Sequence, residues 1–490
     1  MGEKDRHVLI YGYLLARIHF GFYPAGENLP SIYRLSDMFG VSTMTAREAI
    51  RLLEEKGYVH RTQGKRSVVI DGHFPHEFPA SLKVPEETLQ DLYQSLYLLL
   101  PSIFYHSYRH CGEKEKKELI RILERSSQAW DEPTVQFLFH VVRQLKNPLL
   151  NSLYVDTLLF SYPAHLARLS AAREDWKASY EKLQLKLRQM LDVWEQGDVD
   201  WLWKMIRQTY LEFDSFYAVK PLAGPLSVSY RWGRPIVVNS IARELIFRIY
   251  CGLYPVDSFL PSPKALAADL SVPLITIRRA IGLLNKLGIA ESVNGKGTRV
   301  LSLAAGKQRI QWKDSSVRKN VMTYLYALHV LALTCGSVAA AIYPLIENEA
   351  KDKTGKKVRD AKEMGHSDIV VAICLDMIIE FGRLEAFKNI YSQLLSLLVW
   401  GYPLTYLLPR PRLEHHTDEI IAGFEADDGL LFAKGLEKIV GALFLSAKTK
   451  ILSAGILEAE SVDIPFLPKN AEGEGRQLRH NGLCRKKSRA

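Results

Sequence analysis

Five cysteines in 490 residues, at Cys111, Cys251, Cys335, Cys374 and Cys484, form no CxxC pair and lie far apart. That spacing excludes a disulfide framework and a zinc ribbon, leaving reduced, space-filling thiols as the expectation. The chain has no phosphate-binding glycine loop of the P-loop or dinucleotide type and no nucleophile elbow, so no enzyme class is indicated. The start, MGEKDRHVLI, lacks an apolar segment with a small-residue cleavage site, and a cytoplasmic location is expected. Only one apolar run, Val321 to Leu345, is long enough to resemble a membrane span. Its internal His329, Thr334, Gly336 and Ser337 favour a buried packing helix.

Hydrophobic residues make up 47% and charged residues 24%, an ordinary globular balance. Lys and Arg outnumber Asp and Glu by 64 to 54, giving a net charge of +10 that permits a polyanionic partner without requiring one. A chain of this length implies several domains.

The organising feature is an internal repeat. Residues 21–59 reappear without a gap at 252–290, pairing Gly21/Gly252, Tyr23/Tyr254, Pro30/Pro261, Ser31/Ser262, Thr45/Thr276, Arg47/Arg278 and Gly57/Gly288 at a constant offset of 231. Gly64-Lys65 and Gly295-Lys296 keep the same offset. So long a unit is a duplicated multi-element module rather than a solenoid repeat.

In each copy a helix with apolar spacing (Ile10, Leu14, Leu15, Ile18; Ile241, Leu245, Ile246, Ile249) ends at a glycine. Ser31 and Ser262 suit the N-cap of a short second helix reaching about Phe39 or Leu270. A third helix is expected from Thr43 to Lys56 and from Leu274 to Leu287, with Ala46, Ala49, Ile50 and Leu53 facing inward in the first copy. Short strands at 58–61 and 67–70 then flank Gln63-Gly64-Lys65, a hairpin pattern that the second copy repeats around Asn294-Gly295-Lys296.

Helix, helix, turn, helix and a basic-tipped hairpin make a winged helix-turn-helix. Both copies, over about 5–71 and 236–303, resemble the DNA-binding domain of the GntR family of bacterial regulators through G-x-Y-P, L-P-S, T-x-R-x-A-I and the glycine-lysine wing. The resemblance implies binding to double-stranded DNA through Ser31, Thr43, Thr45, Arg47, Gly64 and Lys65 in the first copy. In the second it implies Lys264, Thr276, Arg278, Arg279, Gly295 and Lys296. Recognition-helix arginines suit guanine edges or phosphate. The family pattern places further arginines where Thr43, Leu274, Tyr33 and Lys264 stand, and Pro273-Leu274 makes the second copy the less typical reader. One chain with two readers implies an intramolecular pseudo-dimer for an asymmetric site, with further homodimerisation open.

Residues 85–217 and 315–465 show helical apolar spacing without strand alternation, the first with about six helices. The expected architecture is thus mainly α, with two winged helix-turn-helix domains (1–71, 235–303) alternating with two all-α helical domains. Glu347 to Glu363 reads as a solvated loop or helix end, and 466–490 as a disordered basic tail. Ser161-Tyr162-Pro163 is echoed by Gly401-Tyr402-Pro403.

The first helical half resembles the FCD-type effector domain of GntR regulators, which implies a small-molecule effector held in a helical bundle, often through a metal. Only His140 matches that metal pattern. Gln136, Leu187 and Gln208 occupy the approximate positions of the other ligands, and one imidazole does not hold a zinc-like ion, so no metal and no cofactor are expected. Leu96, Leu100, His140 and, in the second half, His329 are the candidate ligand-binding residues, and any pocket should be more apolar than a carboxylate site. The competing reading is a non-enzymatic interaction or scaffold protein with degenerate DNA-binding domains. Retention of Thr-x-Arg in both copies opposes it.

Overall fold

The computed structural model describes residues 6–19, 23, 25–60, 66–70, 84–124, 132–172, 176–217, 230–232, 237–310, 312, 314–406 and 412–463. Contacts divide the chain into two compact units. The first comprises 1–235 together with 382–393, and the second comprises 236–381 with 394–490.

The first unit opens with α1 (Arg6–His19), α2 (Ile32–Phe39), α3 (Thr43–Glu55), β1 (Val59–His60) and β2 (Val68–Val69). Ser31 caps α2, its hydroxyl accepting from Arg34 N at 3.2 Å, and Ser42 caps α3 by accepting from Thr45 N at 3.1 Å. Gly40 makes the turn between them in the left-handed region, φ +59°. Leu35, Phe39, Ala46, Ala49, Ile50 and Leu53 are buried, so the helical stripe expected for the third helix is the observed core face. The wing strands pair antiparallel, and Asn28 adds a single bridge to Val68.

Six helices follow: α4 (Glu86–Arg109), α5 (Glu113–Glu124), α6 (Glu132–Arg143), α7 (Pro148–Ala172), α8 (Trp176–Glu195) and α9 (Val199–Tyr217). The first unit also takes in the start of a helix from far along the chain. The Asp91 carboxylate on α4, fully buried, accepts from Glu385 N and Ala386 N, both at 2.7 Å, and Ser95 Oγ accepts from Phe387 N at 3.0 Å. A carboxylate on the free N–H groups of a helix start is the favourable pairing for a helix dipole.

The second unit repeats the sequence of elements: α10 (Val237–Tyr250), α11 (Pro263–Asp269), α12 (Leu274–Lys286), β3 (Ala290–Val293) and β4 (Gly297–Val300). The Phe259–Arg299 bridge stands at the same offset as Asn28–Val68. Ser262 caps α11, but Pro273 starts α12 with no side-chain cap, and the turn before it places Ser271 at φ +51° where the first copy has Gly40. An L-residue there carries a steric penalty that glycine avoids.

Beyond lie α13 (Leu303–Lys307), α14 (Ser315–Ile342), α15 (Asn348–Glu363), α16 (Val370–Phe381), α17 (Glu385–Leu397), a 3-10 segment (Leu398–Tyr406), α18 (Glu414–Glu425) and α19 (Gly429–Ser453). The run Ser315–Leu345 is long and apolar enough to cross a membrane, and 72% of its most apolar window is buried, chiefly along α19. Residues 347–363, expected as a solvated loop or helix end, are a regular helix. Its Gly355, Val358 and Ala361 pack inward, Gly355 against Phe424 of α18, and Lys351 is bound to Asp427 at 2.7 Å over the Tyr343 ring. The tail at 466–490 lies outside the described residues.

Candidate nucleic-acid interface and helical cavity

A helix can read a groove only if one face is anchored and the other is free. In α3 the apolar stripe is anchored in the domain core, while Thr43, Met44 and Arg47 are exposed, Met44 at 78%. Tyr33, near the start of α2, is 79% exposed. In α12 the corresponding Arg278 and Arg279 are exposed, Ile275 is 55% exposed, and Thr276 is half-buried. Thr45 differs from the expectation of a contact residue. It is buried, and its hydroxyl lies 2.8 Å from Ser42 Oγ, so it secures the start of α3. Lys264 is exposed on α11, and Gly295 (φ +72°) and Lys296 form the exposed tip of the β3–β4 wing. Gly64 and Lys65 lie outside the described residues.

The third helices of the two copies differ in charge. On α3, Arg47 and Arg51 are offset by Glu48, Glu54 and Glu55, and Arg51 binds Glu48 (Nε to Oε2, 3.0 Å) and Glu55. On α12, Arg278, Arg279 and Lys286 meet no carboxylate within the helix. The second copy, less typical by motif, is therefore the more cationic at its recognition helix. Its wing residue Arg299 is engaged internally, with Glu291 at 3.3 Å and Asp257 at 3.9 Å.

Sequence reasoning missed the residues that join the first reader to its helical neighbours. Arg17 is fully buried, its guanidinium donating to the Tyr13 hydroxyl at 2.7 Å and to Tyr162 at 3.4 Å, and lying over the rings of Tyr13 and Tyr23. Arg6 pairs with buried Asp156 at 3.0 Å. Arg143 on α6 donates to the carbonyls of Asp37 and Met38 at the end of α2, where a cation complements the helix dipole. One clue to Arg17 was in the sequence: Arg17-Ile18 recurs as Arg248-Ile249 at the offset of the repeat.

Within the first helical set a cavity of about 180 Å³ is lined by Leu96, Leu100, Tyr108, Tyr154, Tyr162 and Leu187 among others. No charged side chain or histidine lines it among the described residues. Burial pushes the Tyr108 and Tyr154 phenols up, so both are neutral donors, and the buried Tyr108 hydroxyl has no hydrogen-bond partner. Of the candidate ligand residues, Leu96 and Leu100 lie in this wall. His140 on α6 does not, and His329 is buried in the second unit, its Nε2 3.0 Å from Asp463 O and its ring against Phe444.

Two segments, 8–69 and 238–300, match the family described as bacterial regulatory proteins, gntR family. The curated relative "HTH-type transcriptional regulator TreR" of Bacillus subtilis (strain 168) is 34% identical over 79 residues, 16% of this chain and 33% of its own. The chain thus spans about a third of that relative's length. Among solved structures, Streptococcus agalactiae GntR matches at 18% identity and TM-score 0.20, covering 42% of this chain and 99% of its own. E. coli McbR/YncC matches at 16% and 0.23, covering 44% and 97%.

Proposed function

We propose that this chain is a non-enzymatic, DNA-binding transcription regulator whose two gntR-type winged helix-turn-helix copies act as non-identical readers of double-stranded DNA. The observation that carries this reading is the duplicated recognition helix, anchored by an apolar stripe and presenting Arg47 in one copy and Arg278 with Arg279 in the other. Such helices enter the major groove, with guanidinium forks suited to guanine edges or phosphate and apolar side chains such as Met44 and Ile275 suited to the thymine methyl. Within one chain the two readers form a covalent pseudo-dimer for an asymmetric site, gaining from their effective concentration.

The helical cavity suits an uncharged, mainly apolar effector that accepts one hydrogen bond, from Tyr108. Tyr162 is the mechanical link, since it lines the cavity and also touches Tyr13 and Arg17 of the first reader. A ligand that moves Tyr162 shifts the seat of α1.

The test is footprinting and anisotropy on the DNA upstream of the gene. A protected asymmetric site, affinity falling steeply with salt, and weakening by Arg47→Ala and Arg278→Ala are expected. Salt-independent or absent binding refutes the reading. A perfect palindrome bound by two chains refutes the pseudo-dimer. For the effector, phenol-type or alkanol probes should raise the melting temperature and citrate should not.

A further inference from the structure

The second unit holds a cavity of similar size, about 180 Å³, built differently from the first. Its walls come from α10, α14, α16, the 3-10 segment and α19, so it lies between the second winged domain and the helices of the same unit. Tyr250, Tyr324 and Tyr402 supply aromatic surface, Ile246 and Leu443 aliphatic surface, and two cations reach it: Arg243 and Lys450. No carboxylate lines it among the described residues.

Both cations are held in place. Lys450 on α19 is 6% exposed. Arg243 is fixed by two bonds to Asp376, at 2.8 and 3.1 Å, and its buried Nε has no hydrogen-bond partner. Gly401 lets the Tyr324 ring pack directly against the 3-10 segment, where a Cβ would overlap the ring. An apolar cavity of roughly 150 Å³ accepts benzene, so this volume fits one ring or a short acyl chain plus a charged head. Burying an anion is costly unless it is paired and hydrogen-bonded: the Lys450 ammonium supplies the charge, and Arg243, whose terminal nitrogens are bound to Asp376, supplies its Nε–H.

We propose that this cavity is a second ligand site, distinct from the uncharged cavity near Tyr108, for a compact organic anion with an aromatic or short acyl body. Its head sits between Lys450 and Arg243 and its body against the three tyrosines. Because Arg243, Ile246 and Tyr250 belong to α10, the first helix of the second reader, a bound anion ties that helix to α19. The consequence for DNA rests on the regulator reading; binding itself does not, and is measured without DNA.

Full-length protein is titrated calorimetrically with benzoate and with benzyl alcohol, and photolabelled with 4-azidobenzoate followed by peptide mapping. Benzoate should bind at least about tenfold more tightly than the alcohol, and Lys450→Met should weaken it by a similar factor. Gly401→Ala, whose methyl must displace the Tyr324 ring that lines the cavity, should weaken it further. The label should map to 398–406 or 443–450 on the unaltered protein, a result independent of how the variants fold. Equal binding of acid and alcohol, no benzoate binding at millimolar concentration, or label confined to 86–217 overturns the proposal.

Discussion

If the two recognition helices meet phosphate, their unequal charge should be measurable as unequal salt dependence. The perturbation is reciprocal: Glu48→Arg gives α3 the charge that α12 carries at the equivalent Arg279, and Arg279→Ala removes that charge from α12. Each phosphate contact adds about 0.9 to the slope of log affinity against log salt. Between 50 and 200 mM salt, one contact therefore changes the loss of affinity by about 3.5-fold. Arg279→Ala should flatten the slope by about one contact, and Glu48→Arg should steepen it by at least as much, since it also releases Arg51 from one of its two carboxylates. Arg279 is exposed and Glu48 half-buried, and neither belongs to the apolar stripe of its helix. The assay is fluorescence anisotropy on a mixed-sequence duplex across a salt titration. Unchanged slopes for both variants would refute the placement of these helices against the backbone.

Four further outcomes concern stability. Ser271→Gly should stabilise the second unit by about 1 kcal/mol, because the turn already holds a left-handed φ of +51°, read by urea denaturation. Gly423→Ala should do the opposite, by roughly 1–3 kcal/mol, since its Cβ would lie 2.6 Å from the Phe432 backbone nitrogen. Asp91→Ala strips two N–H groups at the start of α17 of their acceptor and should cost about 2 kcal/mol, with Asp91→Asn costing less. The Lys351 ammonium holds the Asp427 carboxyl below its usual range, so its contribution is present above the ordinary aspartate pKa and is lost as pH falls through the lowered folded value. Asp427→Asn should therefore melt below the parent at pH 7, with the gap closing as the pH falls below the ordinary aspartate range. A constant gap would contradict the ion pair.

The readers were legible in the sequence because every level agreed there. Caps at Ser31 and Ser262, the stripe through Ala46, Ile50 and Leu53, and the Asn294-Gly295-Lys296 turn are local features with local causes, and their element bounds emerge within a residue or two. Residues 347–363 misled because charge on the outward face outnumbers the narrow inward row of Gly355, Val358 and Ala361. A threonine at a helix start serves either DNA or the cap, and the 2.8 Å approach of Thr45 to Ser42 shows the second of these roles. Asp91 could not be found at all: its partners lie almost three hundred positions away, and no periodicity records a bond of that kind.

The joints between readers and helices show what duplication preserved and what it released. Arg17 and Arg248 occupy equivalent positions on the first helix of each copy. Arg17 is enclosed by Tyr13, Tyr23 and Tyr162, and Tyr13 and Tyr162 stack with centroids 4.7 Å apart. Glu244 stands at the equivalent of Tyr13, and it draws Arg248 into a pair at 2.8 Å within its own reader. That exchange of an aromatic for a carboxylate turns Arg248 toward Glu244 and Asp269. On α10, Tyr250 reaches Tyr402, at 5.9 Å, beside the second cavity. The tyrosine of the repeated Tyr-Pro motif thus meets the first helix of its winged copy and lines a cavity in both halves, Tyr162 beside Tyr13 and Tyr402 beside Tyr250. Restoring the aromatic with Glu244→Tyr should free Arg248 from that pair, and a loss of benzoate binding in this variant would tie the second cavity to that exchange.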